Sequence, residues 1–189
     1  MFIKDLFGQI PVRKKFLKSD QTERKYIVDM VTHYALVHPD KSWRLTRDGK
    51  TVYDLKPGEG LFARLSALYA PDWMPHLREV MIQDEQLEIM GYVSDAALTF
   101  ASSDFFNVFV NNRPVQDKII KKAVMDAYYR QVAPGMTPFV TLFVQLKPDL
   151  LDINVHPRKM EVRFLDPGSM YTRVHEAIVH VLGEQKVNS

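Results

Sequence analysis

Apolar and polar positions alternate between two periods along this chain, and the switches between them outline the fold. Residues 2–7 read as a short strand, with Phe2, Ile3, Leu6 and Phe7 between polar breaks, closed by Gly8 and Pro11. A helix follows, with Ser19 or Asp20 as its cap and Glu23 near the capping-box position. Ile27, Val28, Val31, Tyr34 and Ala35 recur at helical spacing and predict its apolar face, and Pro39 closes it. In SWRLTRDGKTVYDL two alternating stretches flank Asp48-Gly49, the pattern of a tight hairpin. A short helix is expected over 59–69, with Leu61, Phe62, Leu65, Leu68 and Tyr69 on one side.

The second half predicts strands over 77–82 and 86–93, joined by Gln83-Asp84-Glu85, and a further strand, FFNVFV, that ends at Val110. Asn111-Asn112-Arg113-Pro114 then turns the chain into a long helix. Its apolar positions are Val115, Ile119, Ile120, Ala123, Val124, Ala127 and Tyr128; Lys118, Lys121 and Lys122 take the other face. TPFVTLFVQ, 137–145, is almost continuously apolar and predicts a central strand. A strand at 160–164 and a helix carrying Val174, Ala177, Ile178, Val181 and Leu182, ended by Gly183, complete the series. Helices set between runs of strands predict mixed α/β or α+β layers.

Composition removes several function classes. There is no cysteine, so disulfides, thiolate metal sites and thiol nucleophiles are excluded. The start has no basic region followed by an apolar run, and no apolar stretch reaches the ~20 residues of a membrane span, so an intracellular protein is expected. The eight glycines cannot be assembled into GxGxxG or GxxxxGK[ST], and there is no GxSxG. His175-Glu176 and His180 read H-E-x-x-x-H. On a helix, five residues turn through roughly 500°, so the two imidazoles point roughly 140° apart and cannot share one zinc. No metal site and no complete enzyme is expected from these residues. The net charge of +2 conceals an uneven distribution: residues 1–50 hold eleven Lys and Arg against six acids, and residues 71–104 hold Arg78 against seven acids. That asymmetry admits a nucleic-acid partner, although on charge alone solvated surface charge is the favoured reading.

Two stretches carry more chemistry. In LFGQIPVRKKFL, Arg13, Lys14, Lys15 and Lys18 follow Pro11 at once, either as a basic helix entry or as a lip on a phosphate-bearing ligand. In DINVHPRKMEVRF, Pro157 interrupts regular pairing and puts Arg158 and Lys159 at a tip between two alternating stretches. The tip either keeps a sheet soluble or delivers a cation to an anion bound elsewhere, a task that suits the compact charge of lysine.

These residues resemble a known family. Asp152-Ile153-Asn154-Val155-His156-Pro157-Arg158-Lys159 with Glu161-Val162-Arg163-Phe164 is similar to the signature of MutL-type DNA mismatch repair proteins, within the GHKL ATPases. Leu6-Phe7, Pro11, Arg13, Lys15, Phe16 and Leu17 match a second signature, and Val110-Asn111-Asn112-Arg113 with Val115 a third, in the family's order and over essentially the whole chain. Gly8-Gln9-Ile10 departs from the family's aromatic-Asn-Thr, and Arg158 replaces a commonly small residue.

The resemblance implies that residues 1–189 are a single transducer domain, with an ATP-binding GHKL domain and a C-terminal dimerisation domain lying outside it. It implies an α+β fold, a mixed sheet with helices mainly on one face and a left-handed β-α-β crossover, as in the second domain of a small-subunit ribosomal protein. Lys159 matches the transducer lysine that reaches the ATP γ-phosphate when the ATPase domain is present. Lys118 matches a basic DNA-contacting position, with Lys121, Lys122 and Arg113 beside it; Arg13 and Lys15 are phosphate or lid contacts. No cofactor is implied for the fragment itself, with ATP and magnesium belonging to the full-length protein. The implied partners are DNA, the protein's own N-terminal ATPase domain, a MutS-type mismatch-recognition protein and a second copy of the full-length chain. The implied location is the cytoplasm, with the nucleoid, in a bacterium. Two other readings share the surface: a free-standing nucleic-acid-binding module, and the transducer of another GHKL enzyme such as a type II topoisomerase.

Overall fold

The computed structural model describes residue 7 and residues 10–152 and 162–183. The expected first strand, apart from Phe7, lies outside them. So do residues 153–161, which include His156, Pro157, Arg158 and Lys159. The chain forms two compact units, residues 1–60 and 61–189.

The first unit holds the single-turn helix α1 (Pro11–Lys14), the helix α2 (Asp20–Val37) and a hairpin of β1 (Trp43–Arg47) and β2 (Lys50–Leu55). Ser19 caps α2 by accepting from the Thr22 amide at 3.3 Å, and Glu23 reaches back to the Lys18 amide at 2.8 Å, one residue before the cap. The expected apolar face of α2 is rotated. Ala35 and Leu36 are buried, while Ile27 and Tyr34 are 48% and 52% exposed. Asp48 (φ 50°) and Gly49 (φ 75°) both take the left-handed conformation that a two-residue hairpin demands. Trp43 stacks on Tyr34 at 6.0 Å and donates to the His38 carbonyl at 3.3 Å, tying hairpin to helix.

In the second unit α3 (Leu61–Leu68) leads through a 3₁₀ turn (Pro71–His76) into β3 (Leu77–Gln83) and β4 (Leu87–Ser94). There follow β5 (Thr99–Phe100), β6 (Phe106–Val110), β7 (Arg113–Val115), α4 (Lys118–Ala127), β8 (Thr137–Pro138) and β9 (Val140–Leu146). A second 3₁₀ turn, β10 (Leu151–Asp152), β11 (Arg163–Phe164) and α5 (Pro167–Gly183) finish the described chain. The main sheet has the order β3-β4-β9-β6-β7. It is mixed: β9 runs antiparallel to β4 and parallel to β6. The expected central strand is therefore central, and Val140–Val144 are buried on both sides of the sheet.

The core lies between one sheet face and the paired helices α4 and α5. Val80, Ile89, Val108, Leu142 and Val144 meet Ile120, Val124, Val174 and Ile178 there, all 4% exposed or less. Burying each such side chain contributes on the order of 1.5–3 kcal/mol. On the other sheet face Phe109 and Phe143 stack at 4.6 Å, and Phe62 of α3 meets Tyr92 at 5.4 Å. The fold is thus the α+β arrangement expected, with two further corrections of detail. Val115 belongs to β7 rather than to the helix, because Asp117 is the α4 cap. In α3, Arg64 is buried with Leu65, while Phe62 is exposed.

Candidate nucleic-acid interface

The basic face predicted on α4 is built from the turn that precedes it. Asn111 (φ 47°) and Asn112 (φ 64°) form a two-residue turn between β6 and β7, and asparagine tolerates this left-handed backbone better than most residues. The Asn111 amide then acts as an extra rung of the sheet. Its Nδ2 donates to the Leu146 carbonyl at 3.2 Å and its Oδ1 accepts from the Leu146 amide at 2.9 Å. Its backbone N–H donates to the Val144 carbonyl at 2.9 Å, and Gln145 donates to Asn112 Oδ1 at 2.8 Å. The turn that presents Arg113 is so fixed to the end of β9, the strand that leads on to β10.

Asp117 starts α4. Its Oδ1 accepts from the Ile119 and Ile120 amides, each at 2.9 Å, and fills the helix N-terminus that could otherwise bind an anion. An anion on this face must therefore be held by side chains. Arg113 and Lys118 are exposed and take no ion pair among the described residues. Lys121 donates to Ser103 Oγ at 2.9 Å and lies 5.7 Å from the centre of the Phe106 ring. Lys122, 67% exposed, pairs with Asp126 and lies 5.2 Å from the centre of the Tyr171 ring. Tyr171 in turn donates to Asp126 Oδ2 at 2.7 Å. The Lys122 hydrogen bond, with that of Tyr171, holds the Asp126 carboxyl below its ordinary range, and the same bond raises Lys122. Of the four cations, two are uncommitted, and two would exchange local contacts for an external anion.

Arg13 and Lys15 stand in the other unit. Arg13 is on α1, its guanidinium 6.0 Å from the Phe7 ring centre; Lys15 is exposed at the α1 C-cap. The segment that carries Lys159 starts and ends on the antiparallel pair β10–β11, where Leu151 faces Phe164 and Asp152 faces Arg163. Lys159 itself lies outside the described residues. His175 stacks on Tyr171 at 5.8 Å, and no group of three potential metal ligands occurs among the described residues.

Reading charge alone missed Asp117, Asn111 and Asp126. Asp117 was recoverable from sequence, as a cap-type residue two positions before Ile119. The Asp126–Tyr171 link was not, because it joins residues 45 apart on two helices.

Comparison with known proteins completes the picture. The family described as "DNA mismatch repair protein, C-terminal domain" matches residues 65–183. The MutL protein of Rickettsia conorii is 38% identical over 185 residues, 95% of this chain and 30% of that protein. The MutL protein of Chloroherpeton thalassium is 33% identical over 178 residues, 94% of this chain and 28% of that protein. The chain thus spans about 30% of the length of these relatives. Among solved structures, the N-terminal domain of a DNA repair protein superposes with a TM-score of 0.77 over 96% of this chain and 60% of its own, at 20% identity, a likeness of fold. The Aquifex aeolicus MutL ATPase domain complexed with ADP gives 0.56 over 77% of this chain and 52% of its own, at 25% identity. The chain belongs to the MutL family of DNA mismatch repair proteins.

Proposed function

We propose that this chain is the transducer portion of a longer MutL-type protein, coupling ATP binding and hydrolysis in an adjoining GHKL domain to DNA binding and downstream repair signalling. The observation that carries this reading is the family match across residues 65–183, joined to the three signatures in their family order. In this reading Lys159 contacts the γ-phosphate of ATP held by the adjoining domain and stabilises the charge that develops during transfer. ATP and magnesium are held outside this chain, and the fragment has no ATPase activity of its own. Arg113 and Lys118, backed by Lys121 and Lys122, contact the phosphate backbone of DNA, with weak sequence preference. Arg13 and Lys15 serve as phosphate or lid contacts. The full-length protein is a homodimer, meets a mismatch-recognition protein of the MutS type, and works inside the cell near the nucleoid.

The test uses the full-length protein. ATP turnover is measured with and without Lys159→Ala, and DNA affinity with and without Lys118→Glu over a series of salt concentrations. The expected outcome is loss of turnover in the first variant with nucleotide-free folding intact. In the second, DNA binding weakens and depends less steeply on salt, by roughly one unit of log–log slope. Undiminished turnover in Lys159→Ala would return the tip to a solvated connection and leave nucleic-acid binding as the function.

A further inference from the structure

The C-terminal end of α4 carries an aromatic and a cation that the lysine face does not use. Tyr129 is 71% exposed although it directly follows the buried Tyr128. Arg130 has φ 63°, a left-handed conformation uncommon for a residue other than glycine, and its guanidinium lies 5.2 Å from the centre of the Tyr129 ring. The chain from Met125 to Met136 curls round this pair and encloses an open concavity of about 630 Å³, with Val132 and Pro134 in its wall.

Three features say what such a surface takes. It offers a flat aromatic beside a flat cation, which suits a planar, electron-rich group. Arg130 is the one charged side chain among the residues that line the concavity, so the lining favours a ligand with negative charge. Lys118, Lys122, Met125 and Tyr129 are spaced four, three and four residues apart, one face of a helix. The Tyr129 amide still donates to the Asp126 carbonyl at 3.1 Å, so the turn persists that far. Lys118 and Tyr129 then stand about 16 Å apart along the axis, a length that a few nucleotides cover. A nucleobase on a phosphodiester strand has all three properties.

We propose that Tyr129 and Arg130 form a stacking site for an unpaired nucleobase, at the end of the basic stripe of α4. The inference rests on the DNA-binding reading and deepens it: a strand lying along α4 is single-stranded where it passes Tyr129. A paired base keeps its faces inside the duplex and cannot use the site; an unpaired base can, whatever its identity.

The experiment compares a fluorescent oligo(dT) strand with a duplex of equal length on the full-length protein, by anisotropy at two salt concentrations. Tyr129→Ala is expected to weaken single-strand binding at least about five-fold, with Tyr129→Phe close to the parent, the salt slope unchanged and the duplex affected less than two-fold. The side chain is exposed, so a circular dichroism spectrum like the parent's is expected of each variant. Unchanged single-strand affinity in Tyr129→Ala overturns the proposal, as does equal loss on both probes or failure of Phe to rescue. If Tyr129→Ala spares both nucleic acids but weakens association with a mismatch-recognition protein, the surface docks protein and the stacking site is rejected. Lys118→Glu separates the underlying reading. If it leaves both probes unaffected, backbone binding along α4 fails, whatever Tyr129 does.

Discussion

At the residue scale, Gly91 has the least freedom of any glycine described. Its φ is +146°, and a Cβ built there would sit 2.0 Å from the Thr141 carbonyl oxygen of the neighbouring strand. Backbone meets backbone at that point, so no side chain can yield. Gly91→Ala is expected to destabilise the second unit by about 3 kcal/mol or more, read as a lowered denaturation midpoint in urea. Tyr128 is the second such residue. Its hydroxyl, buried at the end of α4, donates to the Ser94 carbonyl at the end of β4. Burial, followed by the charge of Asp95, raises its pKa well above the ordinary tyrosine value. Tyr128→Phe leaves that carbonyl without its donor and is expected to cost about 1–2 kcal/mol at neutral pH. The sign of the pH effect follows from the raised folded-state value. The stabilisation is whole below about pH 10, where tyrosine is neutral in folded and unfolded chains alike. It declines above that, as the unfolded chain ionises first. The gap between parent and variant should therefore be constant through neutral pH and narrow above about pH 10, as followed by denaturation at stepped pH.

At the scale of elements, the β6–β7 turn shows what a motif is for. Asn111 supplies a left-handed residue and two hydrogen bonds to Leu146, so one side chain sets the turn and its attachment to β9. Asn111→Ala loses both and is expected to cost about 2–3 kcal/mol; Asn111→Gly keeps the backbone freedom and should cost less. Chemical denaturation of the two variants side by side checks that order. Elements of this kind were legible in the sequence wherever local chemistry decides them. Asp48-Gly49, the Ser19 cap and the almost continuous apolar run of β9 all stand where the pattern puts them. Two-residue strands were not legible, since β5 and β8 exist only by pairing with each other across nearly forty positions of chain. Nor was β7: Pro114 reads as a helix entry, yet the residue lies on an edge strand, where its missing N–H costs nothing. The rotated face of α2 and the buried Arg64 depend on what packs against them, which periodicity alone does not reveal.

At the scale of the whole molecule, the family was legible because its signatures are spread along the chain in a fixed order. The basic face of α4 was legible only as charge. Which cations are uncommitted depends on Asp126 within α4, on Asp117 in its cap, and on Ser103 and Tyr171, brought to α4 by other parts of the fold. The described surface therefore narrows four candidate cations to Arg113 and Lys118 as those with least to give up. The order β3-β4-β9-β6-β7 also has a meaning in time. The β3–β4 hairpin is local and can close within microseconds of leaving the ribosome. Its permanent neighbour, β9, lies some fifty residues further on, because Val93 pairs with Val140 and Leu87 with Leu146. At ordinary rates of synthesis β4 waits roughly 3–10 s with an open hydrogen-bonding edge. β6 and β7 emerge within that wait, but they gain their place beside β4 only when β9 inserts between them. The nascent protein spends those seconds with two half-sheets and one missing keystone, the interval in which it is most exposed to pairing with the wrong strand.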